Sequence, residues 1–247
     1  MLADPAAQLR LLDLQAEDTA IAQLEHRRRS LPEHTALAEA RVVRSRLGES
    51  LVAARTTVGD LQLDVEKAEA DLVPVRERQA RDQQRVDAGT VTDPKQLNAL
   101  LEEIAHLGRR ISDLEDVELE VMEQLEAATA DQDRIAAELS ELETSMRGLI
   151  ASRDEQVARI DAEQAAHQAA HDTIAADIPA DLLALYDRIR PRSGGVGAAA
   201  LTGRRCGGCQ LEATQSALVG YAAAAPNEVL RCEECERILV RTSAVVA

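Results

Sequence analysis

The sequence predicts a mostly α-helical protein: a long antiparallel coiled-coil hairpin, followed by a small C-terminal domain of short β-strands built around cysteines. Three observations carry this. Apolar residues recur in alternating steps of three and four over long stretches before residue 180. All four cysteines fall after residue 205, in two Cys-x-x-Cys pairs. Phe and Trp are absent and Tyr occurs only at 186 and 221, so a broad globular core lacks the residues that usually fill it.

The first helix is expected over about residues 5–29. The stretch "RRRSLPEHTALAEA" then breaks the pattern, with Ser30 and Glu33 placed as a capping box around Pro32. A second helix follows over 31–86, its seam marked by Leu47, Leu51, Ala54, Val58, Leu61, Val65, Ala68, Leu72 and Val75. Pro74 removes a helical N–H and is expected to kink it. Gly89 ends the pattern and the hairpin tip falls near 88–93. Asp93 as N-cap and Pro94 at the first helical position restart it.

The third helix, 94–175, has the longer seam. From Leu97 to Leu149 only Glu118 and Gln132 interrupt sixteen heptad positions. A short turn between two long helices makes an antiparallel hairpin, so one long helix pairs with two shorter ones in line, and residues 1–176 form the arm. His167 and His171 are spaced i, i+4 but have no third ligand in view, and read as a polar helix face. Residues 177–203 form a short helix from Pro179 to near Arg190, then a linker through Pro191, Gly194 and Gly195.

Residues 204–247 hold the cysteines. Cys206 and Cys209, then a 22-residue spacer, then Cys232 and Cys235 suit two tight turns that bring four thiolates to one ion. The absence of a signal-peptide pattern at the N-terminus predicts a cytoplasmic protein with reduced thiols, which argues against disulfides. A redox Cys-x-x-Cys normally occurs once, in a βαβ setting. The pairing therefore predicts one structural Zn2+ in a small four-cysteine zinc ribbon. Gly207 and Gly208 are expected to supply positive φ in the first turn. Arg205 and Arg231, one before each pair, are expected to offset the charge of a four-thiolate site.

Charge divides the chain. Residues 1–181 carry 20 basic and 38 acidic side chains, whereas residues 182–247 carry eight arginines and six acids. The acidic arm opposes a nucleic-acid backbone. Arg188, Arg190, Arg192, Arg204 and Arg205 concentrate the positive charge and are the candidate contacts to a partner or to nucleic acid. No glycine-rich phosphate loop, nucleophile triad or open metal site is visible, so neither an enzyme nor a small-molecule substrate is expected. No apolar stretch is long enough to span a membrane.

"CGGCQL", "CEECERIL", "IPADLLALYDRI" and "DPKQLNALLEEI" resemble the bacterial C4-type zinc-ribbon family with an N-terminal coiled-coil hairpin. Cys206, Gly208, Cys209, Cys232, Cys235, Arg237, Ile238 and Leu239 fit the family's ribbon pattern. Glu233 stands where the pattern has Pro, and Glu236 where it has Gly; positive φ at Glu236 would cost on the order of 1 kcal/mol. The resemblance implies a non-enzymatic scaffold or regulator presenting a zinc ribbon to protein partners. The alternative it allows is a nucleic-acid-binding regulator using the arginine-rich segment.

Overall fold

The computed structural model describes residues 1–242, so the last five positions of the expected 204–247 ribbon lie outside it. Helix α1 spans Pro5–Arg29, α2 Pro32–Asp87 and α3 Pro94–Ala176. A short α4, Ala180–Ile189, leads through a 3-10 turn at Arg190–Ser193 into strands β1 (Ala198–Thr202) and β2 (Arg205–Cys206). Helix α5, Gln215–Ala223, separates them from β3 (Leu230–Arg231) and β4 (Ile238–Arg241). No helix among the described residues is long and apolar enough to cross a membrane.

Contacts divide the chain into two compact units: Ala36–Leu149, and Met1–Thr35 together with Ile150 onward. This cut differs from a boundary after residue 176. The cause is burial: α1 and the end of α3 pack on α4 and the sheet as well as on each other.

The unit Ala36–Leu149 is the hairpin of α2 and α3. Every expected seam position on both helices is buried or half-buried; Leu72 is 1 % exposed and Leu107 6 %. Their helical periodicity faces the two rows toward each other, and exposed ion pairs such as Arg44–Glu143 at 2.8 Å span the joint. At the restart, Asp93 Oδ1 accepts from the Lys95 amide at 2.9 Å, satisfying one of the orphan donors of α3. Gly89 turns the chain at φ 62°. Pro74 does not end α2.

In the other unit, Ile160 of α3 is fully buried against Leu24 and Leu31. The Ser30–Glu33 capping box does not form. The Ser30 hydroxyl turns back to the His26 carbonyl at 2.9 Å, closing the end of α1, and Glu33 Oε1 accepts from Ser152 Oγ instead. The orphan carbonyls of α1 compete successfully for that hydroxyl.

The sheet runs in the order β2-β1-β4-β3, with β1 and β4 parallel and both outer pairs antiparallel. Side chains alternate across it. Ile238 and Val240 face a core with Ala3, with Ala7, Leu11 and Leu14 of α1, and with Leu182, Tyr186 and Ile189 of α4. Leu239 faces the opposite core with Leu201, Leu218, Tyr221, Leu230, Cys206 and Cys232. The N-terminus adds to the same unit: the Ala3 amide donates to the Asn227 carbonyl at 2.7 Å.

Candidate metal centre

Each cysteine pair sits on one tight turn, and the two turns are built alike. The Gln210 amide donates to the Cys206 carbonyl and the Glu236 amide to the Cys232 carbonyl, both at 2.9 Å. Each turn ends on a left-handed residue that is not glycine, Gln210 at φ 63° and Glu236 at φ 58°. The strain foreseen at Glu236 is present, and Gln210 shares it. The Arg231 guanidinium clamps the Glu236 carbonyl with bonds of 2.8 and 3.0 Å, holding the strained residue in place.

The glycines serve a different purpose from the one expected. Gly207 and Gly208 do not have positive φ. They are small because the turn lies against its neighbours: a Cβ on Gly208 would stand 2.5 Å from Arg237 Cδ and 3.1 Å from Ala199 Cβ. The 22-residue spacer is partly helical. It carries α5, whose N-cap Thr214 accepts from the Ala217 amide at 3.1 Å and whose Leu218 and Tyr221 fill the core under the cysteines.

The turns bring the sulfurs together across the pairs. Cys206 Sγ lies 3.9 Å from Cys235 Sγ, and Cys209 Sγ 3.8 Å from Cys232 Sγ, with all four within 4.8 Å of one another. No disulfide joins them. Among the described residues this is the only cluster of His, Cys, Asp and Glu side chains with metal-ligand geometry.

As free thiols, Cys206, Cys232 and Cys235 are unequal. Burial pushes Cys206 up and Cys232 up to about 12. At Cys235 burial also opposes the thiolate, but hydrogen bonds from the Arg237 backbone and side chain, and from Cys232 and Cys209, bring it down to about 7. Of the arginines around the turns, Arg237 favours the Cys235 thiolate, and its guanidinium donates to the Val196 and Ser193 carbonyls. Arg205 turns away to Glu212 at 3.4 Å, and Arg231 is engaged with Glu236, so neither bonds a sulfur.

The five arginines singled out by sequence do not form one patch. Arg190 ion-pairs with buried Asp18. Arg204 donates to Gln215 at 3.1 Å and Arg205 to Glu212. Arg204 and Arg205 line one cleft, with Glu212, and Arg188 and Arg192 line another of about 380 Å³ with Arg231, Glu234 and Glu236. The two histidines serve the interface of α1 and α3: His167 Nδ1 lies 2.7 Å from Glu17, and His171 Nε2 3.6 Å from Asp18.

Sequence reasoning missed the polar cluster that supports this end of the molecule. Gln15 and Asp18 are buried on α1. Gln15 Oε1 accepts from the Gly197 amide at 2.7 Å and its Nε2 donates to the Gly195 carbonyl, so two backbone groups fix the side-chain amide's orientation. The signal was available: Leu11, Gln15 and Asp18 stand at i, i+4 and i+7, two polar residues on an apolar helix face.

The hairpin and its flanks are those of a known family: the CT398-like coiled coil hairpin domain matches residues 14–194. The chain belongs to this family. The Mycobacterium tuberculosis protein Rv2229c is 35% identical over 241 residues, covering 98% of each chain. A Mycobacterium smegmatis protein of known structure superposes with a TM-score of 0.82 at 32% identity, covering 98% of this chain and 100% of that one. CT398 from Chlamydia trachomatis shares the fold, with a TM-score of 0.64 at 16% identity over 96% of this chain and 98% of its own.

Proposed function

We propose that this protein is a non-enzymatic cytoplasmic scaffold in which one structural Zn2+, held by Cys206, Cys209, Cys232 and Cys235, fixes a ribbon that is displayed to protein partners by a chain that also carries a coiled-coil hairpin. The carrying observation is the sulfur spacing. Zinc–thiolate bonds of about 2.3 Å require tetrahedral edges of about 3.8 Å. The two cross-pair distances of 3.9 and 3.8 Å match that edge. Four sulfurs fill a tetrahedral ion completely and leave no position for substrate or water, which supports a structural role and not a catalytic one. With bound metal, the thiolates would draw on the Arg237 guanidinium and the Gly208 amide, which lies 3.4 Å from Cys206 Sγ.

Elemental analysis under reducing conditions tests the reading: one zinc per chain is the expected result, and none would refute it. Cys209→Ser should lower zinc retention and loosen the ribbon while helicity stays near wild type, because α2 and α3 use no cysteine.

A further inference from the structure

The hairpin unit exposes apolar side chains that its own seam does not use. Val73 of α2 is 45 % exposed, and Leu119 and Met122 of α3 are 58 % and 48 % exposed. Heptad geometry places the three together. The 2.5 Å ion pair of Arg76 with Glu115 marks one side of the seam. Leu119 and Met122 follow Glu115 by four and seven residues, and so share its face of α3. Val73 precedes Arg76 by three, and so shares its face of α2. The three therefore lie on the same side of the helix pair, within about two turns of that ion pair. This is the spacing of anchors onto which a third helix packs.

Charge says what kind of helix. From Ile111 to Asp133, α3 carries nine acidic residues and no Lys, Arg or His. Of the nine, only Glu115 and Asp131 make ion pairs among the described residues. The facing stretch of α2, Val58 to Val75, holds five acids against a single base, Lys67. Exposed Glu66, Glu69 and Glu126 flank the apolar residues at helical spacing. A second copy of this chain would set acid against acid, and a nucleic-acid backbone would be repelled.

We propose that this side of the hairpin is a docking surface for an amphipathic α-helix of a partner protein, with apolar residues at heptad spacing flanked by Lys or Arg. The proposal shares with the scaffold reading only the statement that the partner is a protein. The cysteines play no part in it.

The probe is a fluorescent four-heptad synthetic helix with Leu at a and d and Lys at e and g, titrated with the full chain by anisotropy. Saturable binding is expected, weakening with salt. It should fall about tenfold or more in the Leu119→Gln/Met122→Gln variant, as expected of anchors at an interface centre. Both positions are exposed, so circular dichroism should show an unchanged fold. A peptide with Glu in place of Lys should not bind, and Cys209→Ser protein should bind like wild type. Absent binding, binding indifferent to the double substitution, or dependence on Cys209 would each overturn the proposal. So would sedimentation showing that the wild-type chain dimerises and the double variant does not, since the occupant would then be a second copy.

Discussion

The Tyr186 hydroxyl donates to Asp18 Oδ2 at 2.5 Å, joining α4 to α1 in the fully buried heart of the ribbon-bearing unit. Asp18 Oδ1 meets the Arg190 guanidinium from the 3-10 turn, so one carboxylate ties two successive pieces of the chain to the first helix. Gln15, one turn earlier, holds the loop that leads into β1. The ribbon is thereby attached to the helices through a satisfied polar cluster. Such clusters are costly to break singly, because the partner left behind is buried and unpaired.

Alkaline pH tests this cluster. Burial, reinforced by the charge of Asp187, raises the Tyr186 phenol well above its ordinary value of 10.0. A raised folded-state value means that folding favours the protonated form. Its stabilisation is complete below the ordinary value and is lost as pH rises from there toward the folded-state value. Wild type should therefore exceed Tyr186→Phe in urea resistance at neutral pH by about 1–3 kcal/mol. The gap should shrink above about pH 10 as unfolded phenol ionises. A constant gap across that range would remove the phenol from the account.

The hairpin seam gives a sharper contrast. Leu72 is 1 % exposed whereas Val52, on the same helix, is 64 % exposed. Leu72→Ala should cost roughly 2–5 kcal/mol through lost contact and a residual cavity. Val52→Ala should stay within about 0.5 kcal/mol. Thermal melts followed by circular dichroism would separate them, and equal losses would contradict the seam.

These residues also show what the sequence discloses. The seam is legible because each position repeats one physical demand, burial on one face of a helix. Asp93 and the four cysteines are legible because their chemistry acts over a few residues. Ser30 misleads because its hydroxyl has two sets of orphan groups within reach, and local sequence does not say which wins. Gly208 misleads because its constraint is Arg237, which lies far along the chain. Asp18 and Arg190 are 172 residues apart, and no local pattern reports such a pairing.

The arginines set a limit on nucleic-acid binding. Arg190 holds Asp18, so only Arg188 and Arg192 of the linker remain together, beside Glu234 and Glu236. Two phosphate contacts against an acidic chain should leave binding to mixed RNA or DNA weaker than about 10⁻⁴ M at physiological salt. Arg188→Gln/Arg192→Gln should change little. Micromolar, salt-sensitive binding lost in that variant, measured by anisotropy, would instead favour a nucleic-acid regulator.

Both cysteine turns end on strained left-handed residues. Glu236 adopts φ 58° immediately after Cys235, where an L-residue with a side chain suffers crowding between its Cβ and the backbone. Its exposed carboxylate returns little, since Oε2 lies 3.4 Å from Arg231 and the side chain is 80% exposed to solvent. The clamp that matters is to the Glu236 carbonyl, and any residue supplies that. Glu236→Gly should therefore relieve on the order of 1 kcal/mol of strain, remove one negative charge beside the four sulfurs, and slow zinc loss to a chelator. Glycine also frees the unfolded chain, which offsets part of the gain by up to about 1 kcal/mol. Chelator competition reports the local turn more directly than a melt, so zinc retention is the deciding measurement. Faster loss from Glu236→Gly than from wild type would show that the carboxylate itself supports the site.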